Sequence, residues 1–501
     1  MKRVKMLFFV LIVIVLLCSL FSCKKGSEDV EYYSSRAARQ APTSAVRVDL
    51  GEYDYSAFLD HGLIRVSLGE EDDLKYGVMN ASGALILPAQ YHSISVSGEF
   101  IVAEGGLEDS RIYVTDLAGH VIYSSENRVE VEDVGDGYLS IKEGNYSYLY
   151  HKTFGDILGA SFDDTYDYLA CGKYVVARSI KRGNSHIFRG ESGDLVRSFI
   201  GTSISSFDLY YVGGEDFLVI ENVAVSQSDN YTYVRKQSEG NTYIRQTVYK
   251  YSVGGSSMRT IVTDKVISTL FGKYSFGLSE EARASLSLKE EYLVLRYYVT
   301  EGKAADGTVA YCLTDTSLKE VAALPEGLNP TLTMTEGKAV VSSPSGTIYL
   351  VDASLRTLQT IDDAVYQSAN YSGGIVTASK VTSDGSRKIG GFDGTGKAVI
   401  PFEYNYVSEF IGGKAVAVKQ GRAYLLDTAG NASYIADQDF PYYWDGFYES
   451  AENGLLGLIS FNGTELLPRR YALLADVRRY GDTVFVALTP SEGKTEVYRL
   501  L

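Results

Sequence analysis

One spacing, repeated three times, constrains this chain more than anything else in it. Tyr76-Gly77-Val78-Met79-Asn80-Ala81-Ser82-Gly83 matches Ile389-Gly390-Gly391-Phe392-Asp393-Gly394-Thr395-Gly396 and Leu456-Gly457-Leu458-Ile459-Ser460-Phe461-Asn462-Gly463. Each runs on to a proline (Pro88, Pro401, Pro468) and then a tyrosine (Tyr91, Tyr404, Tyr471). The shared pattern is Gly-x5-Gly-x4-Pro-x2-Tyr, too long and too regular to recur by accident. Weaker copies keep its centre: Asp116 leads to Gly119, Lys152 to Gly155, Gly190 to Gly193, Asp315 to Leu318, Asp352 to Leu355 and Asp427 to Gly430, with a degenerate copy near Gly255. The period is about 37 residues, which is the length of one supersecondary unit in known repeat architectures. About ten units fit the chain, two of them enlarged.

Each unit is local in its chemistry. Asp or Asn at the first position and Gly three later suit a tight type I turn between two strands. β-type runs flank it, as in Arg111-Ile112-Tyr113-Val114-Thr115 and His120-Val121-Ile122-Tyr123, and a later run rises again at Glu99–Ala103 or Lys414–Val418. The proline is expected to end the strand after the turn. Forty Tyr and 49 Gly against 9 Pro and 1 Trp fit pleated, half-buried strand surfaces better than helices. The fold class expected is all-β: a repeat-built β-propeller-like array of four-stranded units, with two propellers or an open β solenoid as alternatives. After Tyr471 only two more strands remain, near Thr483–Leu488 and Thr495–Leu501. Val46–Leu50, followed by Tyr53–Phe58, has the pattern of the missing half, so residues 46–50 are expected to pair antiparallel with 495–501 and the N- and C-terminal strands to close one blade.

The strong copies resemble the WG, or KWG, repeat, whose pattern runs roughly Trp-Gly-h-h-Asp-x-x-Gly-x-h-h-h-Pro-x-x-Tyr. Tyr76, Ile389 and Leu456 stand where that family has Trp. The resemblance implies a repeat array serving as a scaffold or binding surface, and it implies no particular reaction.

The chain opens with Lys2, Arg3 and Lys5 before an apolar run from Met6 to Leu17. These are the charged and apolar regions of a secretory signal. A run of about 12 apolar residues is short of the ~20 that span a bilayer. Leu20-Phe21-Ser22-Cys23 resembles the lipobox of bacterial lipoproteins, with Phe21 departing from the usual residue at its place. That resemblance implies cleavage before Cys23 and acylation, with palmitate among the acyl chains, of its thiol. The expected organisation is therefore a lipoprotein signal peptide at 1–22, a lipidated Cys and flexible tether at 23–45, and the repeat domain at 46–501. Lys24 to Ala45 lacks hydrophobic periodicity and cannot offset its ordering entropy by burial.

His61, His92, His120, His151 and His186 show no zinc spacing. No nucleophile elbow, P-loop or dinucleotide fingerprint is present, so no catalytic, cofactor or metal residue is assigned and the chain is read as a non-enzyme. Glu70-Glu71-Asp72-Asp73 and Glu130-Val131-Glu132-Asp133 lack the ligand alternation of a calcium loop and read as solvated acid runs. Cys171 and Cys312 read as small strand hydrophobes rather than a disulfide framework. Tyr442, Tyr443 and Trp444, together with Tyr146, Tyr148 and Tyr150, are candidates for contacting a partner or stacking on sugars. Two enlarged units carry a polar hairpin near 221–246 and a short helix near 279–290, where Ser279 precedes Glu280 and Glu281.

The net charge of −16, which becomes −19 once the signal's three cations are removed, disfavours nucleic acid as a partner. The function expected is an envelope-anchored lipoprotein whose β domain binds a protein or acts as a scaffold. The alternatives are a glycan-binding or glycan-cleaving propeller and a structural surface antigen. Its expected place is the bacterial cell envelope, at the outer membrane or cell surface rather than the inner membrane.

Overall fold

The computed structural model describes residues 35–501, except 37–38, 71–72, 106–110, 145, 164–165, 180–182, 227–233, 237–241, 256–257, 264, 272–292, 302–303, 324–333, 343–345, 353–356, 362–365 and 438–444. The marked turns form as their residue types require. The Asn80 side-chain oxygen accepts hydrogen bonds from the N–H groups of Ser82 (2.9 Å) and Ala84 (3.0 Å), and Gly83 N–H donates to the Asn80 carbonyl at 3.0 Å. Asp116, Asp315, Asp393 and Asp427 each accept the same two backbone bonds. The third residue after each is left-handed: φ is 86° at Gly83, 80° at Gly396 and 93° at Gly463. Leu318 takes that conformation without being glycine (φ 60°), and its side chain is buried in a cluster with Leu295 and Cys312.

The register explains the rest of the spacing. Tyr76 pairs with Tyr91, Ile389 with Tyr404, and Leu456 with Tyr471. The position of the family's Trp therefore lies opposite the repeat's Tyr in all three strong copies. Between them the outer strand bulges toward the glycine. A Cβ on Gly77 would lie 2.7 Å from the Leu87 carbonyl oxygen, and one on Gly457 would lie 2.5 Å from that of Leu467. Only a residue without a side chain lets the two backbones approach so closely. The proline does not end the strand, contrary to expectation: Pro88, Pro401 and Pro468 lie inside strands Leu85–Tyr91, Ala398–Tyr404 and Glu465–Tyr480. They sit at the bulge, where the ladder is already interrupted and a missing N–H costs nothing.

The chain divides into two compact units, a middle one of Arg128–Pro325 and a terminal one that includes Ser34–Asn127 and Glu326–Leu501. Within the terminal unit the described strands make four four-stranded sheets, one five-stranded sheet and one six-stranded sheet. In the middle unit they make two four-stranded sheets and one nine-stranded sheet, which is two up-and-down sets joined through strand Val234–Lys236. Within each four-stranded sheet, neighbouring strands are antiparallel and consecutive in sequence. These are the blades of the propeller class, and the expectation of an all-β array of about ten units holds. Apolar side chains from successive blades interlock, as where Leu63, Val78 and Leu87 meet Ile94, Ile101 and Ala103.

The two ends of the chain meet in the six-stranded sheet. Ala45–Val48 pairs antiparallel with Glu496–Leu500, with Val46 opposite Arg499 and Val48 opposite Val497. Asp54–Phe58 does not join that sheet, contrary to expectation: it begins the next blade, so a single N-terminal strand completes the terminal sheet. One boundary differs from the sequence reading: of the segment assigned to the flexible tether, Ser35–Arg36 pairs parallel with Met334–Thr335, and Arg39–Ser44 lies against the rest of the terminal unit. Gly412 N–H donates to the Arg39 carbonyl at 2.9 Å, and Ala41 packs beside Ile411, Val416 and Phe461. Composition gave no sign of this, because the segment is ordered by contacts made hundreds of residues away.

Candidate functional site

The candidate contact residues Tyr442, Tyr443 and Trp444 and the lipidation residue Cys23 lie outside the described residues, as do Glu71, Asp72 and the helix assigned near 279–290. Tyr146, Tyr148 and Tyr150 alternate with the buried Ser147, Leu149 and His151 along strand Tyr146–His151, so the three tyrosines share its more open face. Cys171 and Cys312 are buried in separate apolar clusters. The five histidines are dispersed: His61 faces Tyr480, His92 meets Lys75 at 2.6 Å, His120 bonds Asp116, His151 stacks on Phe154, and His186 bonds Ser198 at 2.8 Å. Among the described residues no three His, Cys, Asp or Glu side chains converge as metal ligands would.

Three arrangements stand out, and each joins elements distant in sequence. The first is a polar clamp on the terminal sheet. Tyr471 and Tyr498 hydroxyls lie 2.8 Å apart, and both donate to Glu496, at 3.1 and 2.7 Å. Arg470 adds a 2.6 Å bond to the same carboxylate, and Arg47 from the N-terminal strand lies 3.4 Å from it. Burial, followed by the Tyr498 and Glu496 contacts, pushes the Tyr471 hydroxyl well above the ordinary tyrosine range. Burial alone would raise Glu496, but bonds from Tyr498 and Tyr471, with Arg47 and Arg470 nearby, hold it below the usual carboxylate range. The clamp keeps a charged acid where the two chain ends pair.

The second is a relay through the middle unit. Arg178 pairs with Asp208, which accepts from Asn222 at 2.8 Å. Gln246 donates to Asn222 at 2.9 Å and uses its amide like a strand segment toward Ile267, accepting its N–H at 2.7 Å and donating to its carbonyl at 2.8 Å. Four polar side chains thus tie three consecutive blades together. Asp167 in the preceding strand is raised by burial against the opposing pull of Lys142 and Arg178. No local motif announces this relay.

The third is a pair of elongated hairpins in the middle unit. Asp216–Ser226 and Thr242–Ser252 run 11 residues each and pair along their whole length. Leu293–Glu301 and Ala304–Thr314 run 9 and 11, whereas most blade strands have 5 to 7 residues. Strand Val234–Lys236, from the insertion read as a projecting hairpin, pairs antiparallel with Thr242–Ser252 and parallel with Ala304–Thr314. It zips the two hairpins into one extended β surface that the ordinary blades lack.

Comparison with known proteins gives one family match: residues 391–422 match a WG containing repeat. That span begins in the Gly390-Gly391 pair and covers the Asp393 turn, Pro401 and Tyr404. No curated protein matches. Among solved structures, a eukaryotic initiation factor aligns at 11% identity over 79% of this chain and 96% of its own, with a TM-score of 0.34. Dihydro-heme d1 dehydrogenase NirN, in complex with DHE, aligns at 11% identity over 70% of this chain and 76% of its own, with a TM-score of 0.28. The N-terminal domain of Nup159 aligns at 13% identity over 64% of this chain and 97% of its own, with a TM-score of 0.24. Likeness at that level does not bear on what the chain does.

Proposed function

We propose that this chain is a bacterial envelope lipoprotein, held through Cys23 at the outer membrane or cell surface, whose blades serve as a protein-binding scaffold. The joined hairpins of the middle unit are its contact surface. They carry the proposal because they exceed what a blade needs to fold. Insertions in repeat proteins collect on one face and often bind, and an extended sheet face presents alternating side chains to an incoming chain. The acidic balance of the whole protein favours a protein partner over nucleic acid. No reaction is assigned in this reading.

The test is covalent cross-linking in intact cells that make the protein, followed by capture of the tagged chain. The wild type is expected to bring down a discrete partner. A chain in which residues 227–241, the joining strand among them, are replaced by Asn-Gly should lose that partner while its blades stay folded. An unchanged partner set would move the contact elsewhere. The anchor is tested separately with Cys23→Ala, which should stop incorporating labelled palmitate and partition into the aqueous phase of a detergent separation. Retention of the label would end the lipobox reading.

A further inference from the structure

The segment that leads from the tether into the domain is fastened before it reaches its strand. Ser35–Arg36 already pairs parallel with Met334–Thr335, and Arg39 is the first side-chain fastening. Its guanidinium lies 2.6 Å from Asp445 and 3.1 Å from Glu409, and its side chain is only 20% exposed. Asp445 is shared, because its second oxygen accepts from Arg479 at 2.8 Å, and Arg479 belongs to the long strand Glu465–Tyr480 of the terminal sheet. Ala41 and Pro42 are the second fastening. They press onto Gly446 so closely that a Cβ there would lie 2.9 Å from the Ala41 Cα and 3.1 Å from the Pro42 Cδ. The third is at the opposite chain end: Thr43 and Ser44 N–H groups both donate to the Leu501 carbonyl, at 2.6 and 3.2 Å, and Leu501 N–H returns a bond to Ser44 at 3.0 Å. Only then does strand Ala45–Val48 begin.

A strand of four residues paired with Glu496–Leu500 is by itself a weak closure, because it opens one bond at a time from its free end. We propose that Arg39–Ser44 is a latch for the terminal sheet, so that closure of the C-terminal strand depends on the segment by which the chain is tethered. Its geometry suits that role. The charged fastening binds the segment to Asp445 and, through it, to the sheet being closed. The glycine at 446 provides the slot, and the backbone bonds to Leu501 hold the last residue of the chain. A pull from the N-terminal side meets the Ser35–Arg36 pairing, then Arg39 and Pro42, before it reaches strand Ala45–Val48. The latch does not depend on lipidation; it acts on whatever holds the chain at its N-terminal side.

Hydrogen exchange and limited trypsin digestion of the full chain in detergent test this directly. In the wild type, trypsin should cut at Lys24 and Lys25 while the Arg39–Gln40 bond resists. Ala41→Asp places a charge in the slot, beside Ile411, Val416 and Phe461. It should speed cleavage at Arg39 and amide exchange in Glu496–Leu500 by at least tenfold, leaving exchange in Ile375–Val381 unchanged. Arg39→Ala should speed exchange in Glu496–Leu500 in the same way, and Gln40→Ala, at an exposed position, should be silent. The proposal fails if wild-type Arg39 is cut as fast as Lys24. It fails equally if either latch variant leaves Glu496–Leu500 unchanged, or speeds exchange in every strand alike.

Discussion

Replacing Gly457 with alanine isolates the physical reason for the repeat's first glycine. Gly457 is not left-handed, so alanine meets no backbone barrier there. At an unhindered glycine the change would stabilise the chain by about 0.4–1 kcal/mol through the unfolded state. The new Cβ, however, would lie 2.5 Å from the Leu467 carbonyl oxygen, 2.8 Å from Arg469 N and 2.9 Å from the Pro468 carbonyl carbon. All three are backbone atoms of the bulge, which cannot swing aside as a side chain would. Forcing the strands apart should cost about 1–3 kcal/mol, the range for an inserted methyl in a packed site, and the net loss stays on the destabilising side. Gly394→Ala is the matched control, since nothing lies within 4 Å of its added Cβ and it should be neutral or slightly stabilising. Equilibrium urea unfolding followed by far-ultraviolet circular dichroism reads both. A Gly457→Ala chain as stable as the control would refute the idea that close approach at the bulge sets the Gly-to-Pro spacing.

Gly396→Val should lose roughly 1 kcal/mol or more, because the turn holds φ at 80°, a conformation that β-branched residues adopt only with strain; an unchanged melting curve would remove the position from the turn set. Glu496→Gln should change how stability depends on acid. The carboxylate is held below its ordinary pKa in the fold, so its contribution is present above the unfolded value near pH ~4.3 and is lost as pH falls through the lower folded value. The gap between wild-type and Glu496→Gln urea midpoints should therefore be larger at pH 7 than below pH 4, and an equal gap at both would count against the clamp.

The repeat was legible because its determinants are local. An Asp or Asn side chain caps a turn a few residues away, and a glycine faces a bulge some ten residues downstream, so spacing alone carried the register. Closure was legible for a related reason: Val46–Leu50 has the hydrophobic pattern of a strand whose partners were missing at the other end. The position of the prolines was not, since a proline at a bulge and a proline at a strand end leave the same trace in sequence. Leu318 kept its place in the period while losing the glycine that marks the turn, because burial offsets the strain. The relay through Gln246 and the seat of Arg39 were beyond reach. Arg39 meets its partner Asp445 across 406 positions, in a stretch whose composition reads as disordered. For Cys23 and Tyr442–Trp444 the sequence remains the sole source, as they lie outside the described residues.

The two ends of the chain form one sheet, and a disulfide across the seam tests that most directly. Val46 and Arg499 are directly opposed, and Ser44 and Leu501 beside them exchange both backbone bonds, which makes the Val46–Arg499 pair hydrogen-bonded as well. Cα atoms of such a pair lie about 5.5 Å apart, within disulfide range. The chain carrying Val46→Cys and Arg499→Cys should oxidise to a single intramolecular bond under native conditions and melt at a higher temperature, since the bridge closes nearly the whole domain into a loop. Val46→Cys with Lys494→Cys should not bridge. Failure of the opposed pair to form a bond in the folded chain, or equal bridging by the two pairs, would contradict closure.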